Sequence, residues 1–214
     1  MLPLLTFAIV SLQPSVCIDP GHVSEVGAGT RGLVTTELDV AWEVAAELRD
    51  RLTAEGVRVV MTKDRAVQKV LNRERAAIAN KHRVDLMVRL HCDAASGSGF
   101  AVYYPTQKGT VTGKTGPSDD VLRRTAPIAK RFHASMAESL RGKLHDNGLR
   151  SDLLTNVGSR QGALTGSIYS EVPVLLVEMV VLTNPKDEAF IVSKSGRKGM
   201  VDALTTATVA AIWP

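Results

Sequence analysis

Val16-Cys17-Ile18-Asp19-Pro20-Gly21-His22 is an apolar run that stops at Pro-Gly and leaves a histidine where it ends. A strand too apolar to face water belongs in the centre of a sheet, and the loop at its carboxyl end is where open α/β sheets place their chemistry. Two later stretches repeat the pattern. Val84-Asp85-Leu86-Met87-Val88-Arg89-Leu90 runs into His91, and Val172-Pro173-Val174-Leu175-Leu176-Val177 runs into Glu178. If these strands are parallel neighbours, their ends share one rim of the sheet, and His22, His91 and Glu178 can converge there.

Outward from the first run, residues 23–34 form a loop containing Gly27, Gly29 and Gly32. Thr36, with Asp39 three residues on, predicts a helix start. Val40, Val44, Leu48 and Leu52 then mark one helical face, and Gly56 closes the helix. A second strand over 57–62 and a turn at Lys63-Asp64-Arg65 follow. Next comes a helix over 67–81, with Val70, Ala77 and Ile78 inward and Arg73, Glu74 and Arg75 outward. Residues 84–90 and 99–104 are two more strands. This order predicts right-handed crossovers and a single α/β domain, with a mainly parallel or mixed twisted sheet and helices on both faces. Residues 105–120 lack an apolar period and read as a loop bordering the site. A helix over 121–140 has Pro127 near its start or kinked around it. Residues 147–166 read as irregular, and a helix over 198–212 closes the chain.

The 214 residues suffice to bury a core, and 44% hydrophobic with 22% charged content is ordinary for a globular protein. A net charge of +4 favours an anionic partner, but aromatics are 4% and no Lys/Arg run stands out. A nucleic-acid stacking platform is therefore not expected. Cys17 and Cys92 are too few for a disulfide scaffold and read as two buried free thiols, with a single bridge between adjacent strands as the alternative. Residues 1–15 form an apolar amino-terminal segment, with the domain proper over 16–214. Leu2 to Leu12 read either as the remnant of an export signal or as a capping segment of the domain. The run is too short to span a membrane, so no stable insertion is expected.

His22, Glu37 and His91 have the donor types of a catalytic zinc site, which takes three N/O ligands and leaves a fourth position to water. Glu37 also stands at a helix start, where the positive end of the helix favours the carboxylate. Alone, a histidine after Pro-Gly is an ordinary turn residue, and an acid at a helix start is commonplace. His91 and Glu178 are harder to set aside, because each follows a strand-like apolar run. A carboxylate there either meets a charge or has a raised pKa suited to proton transfer. His82, His133 and His145 lie among charged residues and read as solvated.

At these residues the sequence resembles the zinc-dependent N-acetylmuramoyl-L-alanine amidases of the amidase-3 type. The shared features are Ile18-Asp19-Pro20-Gly21-His22, Glu37, Arg75 with Ala79-Asn80, Arg89-Leu90-His91-Cys92-Asp93-Ala94, and Pro173 through Glu178 with Thr183-Asn184. Arg89 stands where the family has a small serine, and Met179-Val180-Val181 replaces a common Gly-Phe. The resemblance implies Zn2+ held by His22, Glu37 and His91, with Glu178 as catalytic general base. It also implies peptidoglycan as partner, an extracytoplasmic place of action, and room for an unidentified activator protein. Two rival readings are a zinc carboxypeptidase, whose tight H-x-x-E is absent, and a catalytically silent wall-binding domain, which would have lost a ligand or the base.

Overall fold

The computed structural model describes residues 13–213. The expectations about Leu2 to Leu12 lie outside them. Six strands form one sheet: β1 (Ser15–Pro20), β2 (Arg58–Met61), β3 (Leu86–Asp93), β4 (Phe100–Tyr104), β7 (Asp146–Ser151) and β8 (Val174–Val181). Their order across the sheet is β2-β1-β3-β8-β4-β7. β2, β1, β3 and β8 run parallel, β4 runs antiparallel to β8, and β7 runs parallel to β4. The sheet is therefore mixed, and His22, His91 and Glu178 come from three adjacent parallel strands, as the apolar runs require.

The long helices α1 (Glu37–Ala54), α3 (Asp119–Leu140) and α7 (Lys194–Ile212) cover one face. Val16, Ile18, Leu86, Val88, Leu90, Val177 and Met179 meet Val44, Leu48, Phe132, Met136, Met200 and Leu204 there in the main core. The opposite face packs on α2 (Asn72–His82), α4 (Asn156–Gln161) and α5 (Thr165–Ile168), with a smaller core around Cys17, Met87, Ala79 and Val174. Side chains alternate between faces along a strand. Asp19, Arg89, His91 and Glu178 therefore all project to the α2 face, while their neighbours fill the main core. Both cysteines are buried free thiols, as expected.

Several local expectations change. Neither His91 nor Glu178 ends its strand, because β3 continues to Asp93 and β8 to Val181. Alternation lets each side chain face the cleft while the backbone stays in the ladder. Helix α2 starts at Asn72, since the residues before it are tied elsewhere: Val70 N–H donates to Val23 O, and the Glu74 carboxylate accepts from Leu71 N–H. Ala77 is exposed and Arg75 is buried, the reverse of the expected phase. Pro127 sits inside α3. Residues 147–166 contain the rest of β7, a 3-10 turn at Asp152–Leu154, and α4, and α6 (Pro185–Val192) was also unanticipated. Residues 105–120 carry a small hairpin, β5 (Gly109–Val111) with β6 (Lys114–Gly116), packed behind α4 and α5 rather than on the site.

A Cβ at Gly109 would lie 2.5 Å from both Ala163 N and Gln161 O. Gly109→Ala is expected to push the hairpin off this backbone and speed hydrogen exchange over residues 161–168, leaving β1 and β3 protected. Unchanged exchange over 161–168 would show that the hairpin does not brace that segment.

Candidate metal centre and active-site cleft

Glu37 opens α1 and is anchored before it can act. Thr36 caps the helix, its hydroxyl accepting from Asp39 N–H, and Glu37 N–H donates to Thr30 O. The carboxylate accepts from Thr30 N–H through Oε2 at 2.7 Å and faces both imidazoles through Oε1. His22 Nε2 is 3.2 Å from Oε1 and His91 Nδ1 is 2.8 Å from it. One donor atom from each of the three residues falls within 4.8 Å of the others. A tetrahedral zinc with bonds near 2.1 Å separates its ligands by roughly 3.4 Å, so these spacings suit one shared ion. The three predicted ligands thus come together.

Glycine makes this packing fit. A Cβ at Gly29 would meet Glu37 Oε2 at 2.5 Å and His22 Cδ2 at 2.7 Å, and one at Gly21 would meet His91 Cε1 at 2.7 Å. Any side chain at either position would displace a donor group. His22 Nδ1 lies 3.0 Å from Gly27 O, which fixes the ring's second nitrogen. Burial works to raise the Glu37 pKa, but hydrogen bonds to the two imidazoles outweigh it and hold the carboxyl well below its ordinary range. Burial lowers the His91 pKa more than Glu37 raises it, favouring the neutral imidazole that ligation needs.

Glu178 is the direct sheet partner of His91 across β3 and β8, so the two side chains stand abreast on the same face. Its Oε2 and His91 Nε2 are both buried and have no hydrogen-bond partner among the described residues. Burial pushes the Glu178 pKa well up, and the nearby Glu37 and Asp93 charges push it the same way. Unpaired buried polar atoms are uncommon in native proteins and call for an explanation such as an absent ion or a catalytic role. Of the two expectations for Glu178, a partnering charge or a raised pKa, it forms no ion pair among the described residues, and the half-buried side chain lines the cleft with its pKa raised. His82 and His145 are exposed, while His133 pairs with Asp146 at 2.9 Å, away from the cluster.

A layer of charge under the site was not legible as such. The buried Asp19 Oδ1 accepts from Arg75 Nη1 and Thr62 Oγ1, each at 2.6 Å, and Oδ2 accepts from Arg89 Nε at 2.9 Å. Arg75 also donates to Pro20 O, His22 O, Val23 O and Val70 O. Lys63 Nζ reaches Gly21 O, His22 O and Ala66 O, and its burial pushes its pKa down to about 8. Two buried cations thus hold the carbonyls of the loop that presents His22, whose φ is +52°. A signal existed: Asp19 and Arg89 are charges within apolar strands, and Arg75 belongs to the Arg-x-x-x-Ala-Asn feature. Asn80, in the same feature, pins Tyr169 O and Glu171 N–H. Asn184 caps α6, and Thr183 and Asn184 hold Ala95 O and Gly97 O.

A cleft of about 380 Å³ runs from His22, His91 and Glu178 along Arg89 and Leu176. Thr155, Asn156, Val157, Gln161, Leu164 and Thr165 wall it, a segment that sequence reading left irregular. A second hollow of about 370 Å³, lined by Ala28, Thr30, Asp93 and Ala94, opens on the other side of the same three residues.

The chain matches the N-acetylmuramoyl-L-alanine amidase family over residues 16–209, and it belongs to that family. It is 30% identical over 169 residues to the N-acetylmuramoyl-L-alanine amidase Rv3717 of Mycobacterium tuberculosis, covering 76% of this chain and 63% of that protein. It is 27% identical over 195 residues to the N-acetylmuramoyl-L-alanine amidase AmiC of Escherichia coli, covering 81% and 46%. The chain therefore spans between 46% and 63% of the length of these two relatives. The crystal structure of the N-acetylmuramyl-L-alanine amidase Ami1 from Mycobacterium smegmatis has the same fold, with a TM-score of 0.74 over 93% of this chain and 96% of that one at 24% identity.

Asp19→Asn is expected to lower unfolding free energy by about 3–5 kcal/mol at neutral pH, by leaving two buried guanidinium groups short of their counter-ion. Burial tends to raise the Asp19 pKa, but Arg75 and Arg89 outweigh this and hold it below the ordinary carboxylate range. Its contribution is then complete above the unfolded-state pKa and is lost as the pH falls toward the folded value. The gap between the denaturant midpoints of wild type and variant should stay constant down to about pH 5 and narrow progressively on further acidification below about pH 4. A constant gap would remove Asp19 as the source.

Proposed function

We propose that this chain is a zinc-dependent amidase that cleaves the bond between N-acetylmuramic acid and L-alanine in peptidoglycan. The observation that carries the reading is Glu178, half-buried on the cleft with its Oε2 enclosed and unpartnered among the described residues, abreast of His91 in a cluster whose three donors suit one metal ion. Family membership supplies the substrate class. Peptidoglycan lies outside the cytoplasmic membrane, so the proposed place of action is extracytoplasmic. No helix among the described residues is long and apolar enough to cross a membrane.

In this reading His22, Glu37 and His91 hold Zn2+. When bound, zinc supplies Lewis acidity toward an amide carbonyl and makes water more acidic. Glu178 accepts a proton from the attacking water and returns it to the amide nitrogen as the carbon–nitrogen bond breaks. The products are a lactyl carboxylate on the sugar and a free L-alanine amino group on the peptide. The raised Glu178 pKa, caused by burial and by the Glu37 and Asp93 charges, makes its carboxylate a stronger base toward the water proton than an ordinary glutamate. Neutral His91 and ionised Glu37 are in their ligating forms, while for His22 the lowering by burial is outweighed by its bond to Glu37, which raises its pKa, so metal binding there displaces a proton.

Purified peptidoglycan digested by the protein is expected to release peptides with free L-alanine amino termini, identified by mass spectrometry. Glycan cleavage or products cut within the stem would contradict the bond assignment. Chelation should abolish the release and added zinc restore it.

Glu178→Gln is expected to retain about one zinc per chain and lose turnover by roughly 100-fold or more. Glu37→Gln should instead lose the metal. Zinc content and turnover measured together on the two variants decide the roles, and the opposite pattern would exchange them.

A further inference from the structure

Two successive rows of the sheet face the cleft. One holds His91 beside Glu178; the next row inward aligns Asp19 with Arg89 and Arg89 with Leu176. Residues two apart on a strand lie about 7 Å apart, so Arg89 stands one such step from the ligand His91. Arg89 is 4% exposed and lines the cleft. Its Nε donates to Asp19 and its Nη2 to Asn72. Its Nη1 has no acceptor among the described residues and is not fully enclosed. The guanidinium is held flat against Gly166, where a Cβ would come within 2.5 Å of Nη1.

Among the described residues only Asp19 forms an ion pair with Arg89, although Asp152, Glu178 and Glu25 also lie within range of its charge. The Asp19 charge is shared between Arg75 and Arg89. Asp152 is buried, accepts from Leu164 N–H, and forms no ion pair with Arg89. Glu25, on the rim, is bonded to Asn72. The floor of the cleft therefore carries a guanidinium with one free donor, in a partly dry setting where a charge-assisted hydrogen bond is strong.

We propose that Arg89 binds the free α-carboxylate of an acidic residue standing second in the stem peptide, after L-alanine, so that the enzyme selects unamidated over amidated stems. This rests on the amidase reading above. Two residues of extended chain span roughly 7 Å, so a carboxylate at that position reaches Arg89 when the scissile carbonyl lies at the metal centre. Leu176, beside Arg89 in the same row, offers the alanine methyl an apolar surface.

The test compares N-acetylmuramoyl-L-alanyl-γ-D-glutamyl-L-lysine with the same molecule carrying a carboxamide in place of the α-carboxylate. Zinc-loaded wild type should prefer the carboxylate by at least about ten-fold in kcat/KM, in line with one charge-assisted hydrogen bond. Arg89→Ser should bring the ratio close to one. The ratio is internal to each preparation, so partial loss of folded protein does not alter it. Arg89→Lys retains the charge without the fork and should give an intermediate ratio, which keeps the test available if Arg89→Ser does not fold. Equal cleavage of both compounds by wild type, or a preference surviving in both variants, would overturn the proposal. If neither compound is cleaved, the amidase reading fails separately, and calorimetric binding of the two compounds decides about Arg89: a carboxylate preference lost on substitution supports it, and equal or absent binding overturns it.

Discussion

One buried carboxylate, Asp19, organises the chemistry of this chain without taking part in it. It lies in β1 with no solvent exposure and accepts from two guanidinium groups and a hydroxyl. A buried guanidinium without a counter-charge is strongly destabilising, so Arg75 and Arg89 can stay in the protein only while Asp19 is ionised. Arg75 in turn holds the carbonyls of Pro20, His22 and Val23. The loop that presents the first imidazole is thereby fixed from below by charge and from above by Gly29 packed on Glu37. Both supports act on backbone and carboxylate rather than on the imidazole edge facing the cleft, which leaves His22 Nε2 free to ligate.

Parallel pairing does the rest. Because β3 lies between β1 and β8, side chains from three strands distant in sequence share one face with fixed spacing. His91 and Glu178 occupy the same row, and Arg89 and Leu176 the row behind. The main core on the opposite face packs α1, α3 and α7 against the alternate residues of the same strands. A shift of one residue in register would send His91 and Glu178 into that core and bring Leu90 and Val177 to the cleft. The stability of the core and the geometry of the site are therefore set by the same pairing. The order of the parallel strands also brings Glu37 into place, since α1 crosses from β1 and begins beside the end of β3.

Much of this was readable from sequence, for identifiable reasons. The apolar runs before His22, His91 and Glu178 are long and bounded, so their central position followed from burial alone, and Thr36 marked the helix start that places Glu37. Arg75 was misread because Arg73-Glu74-Arg75 looks like a solvated turn of helix. Its burial depends on Asp19, which lies 56 residues away in sequence and has no periodic relation to it. Lys63 was hidden in the same way, as a turn residue whose ammonium is satisfied entirely by carbonyls. β7, with Leu149 as its only apolar side chain, carries almost no burial signal as an edge strand. The cleft wall over 152–168 is held by local caps and by glycines in contact with neighbouring backbone, such as Gly158 against Asp152 O. Such contacts leave no hydrophobic pattern to read.

The central claim is that His22, Glu37 and His91 share one zinc ion while Glu178 stays out of its coordination. Anomalous scattering from crystals of the zinc-loaded protein, recorded on both sides of the zinc edge, tests it most directly. The account predicts one peak at about 2.0–2.2 Å from a donor atom of each of the three residues, with no Glu178 oxygen at bonding distance. A peak bonded to Glu178, or one lying away from His22 and His91, would contradict it.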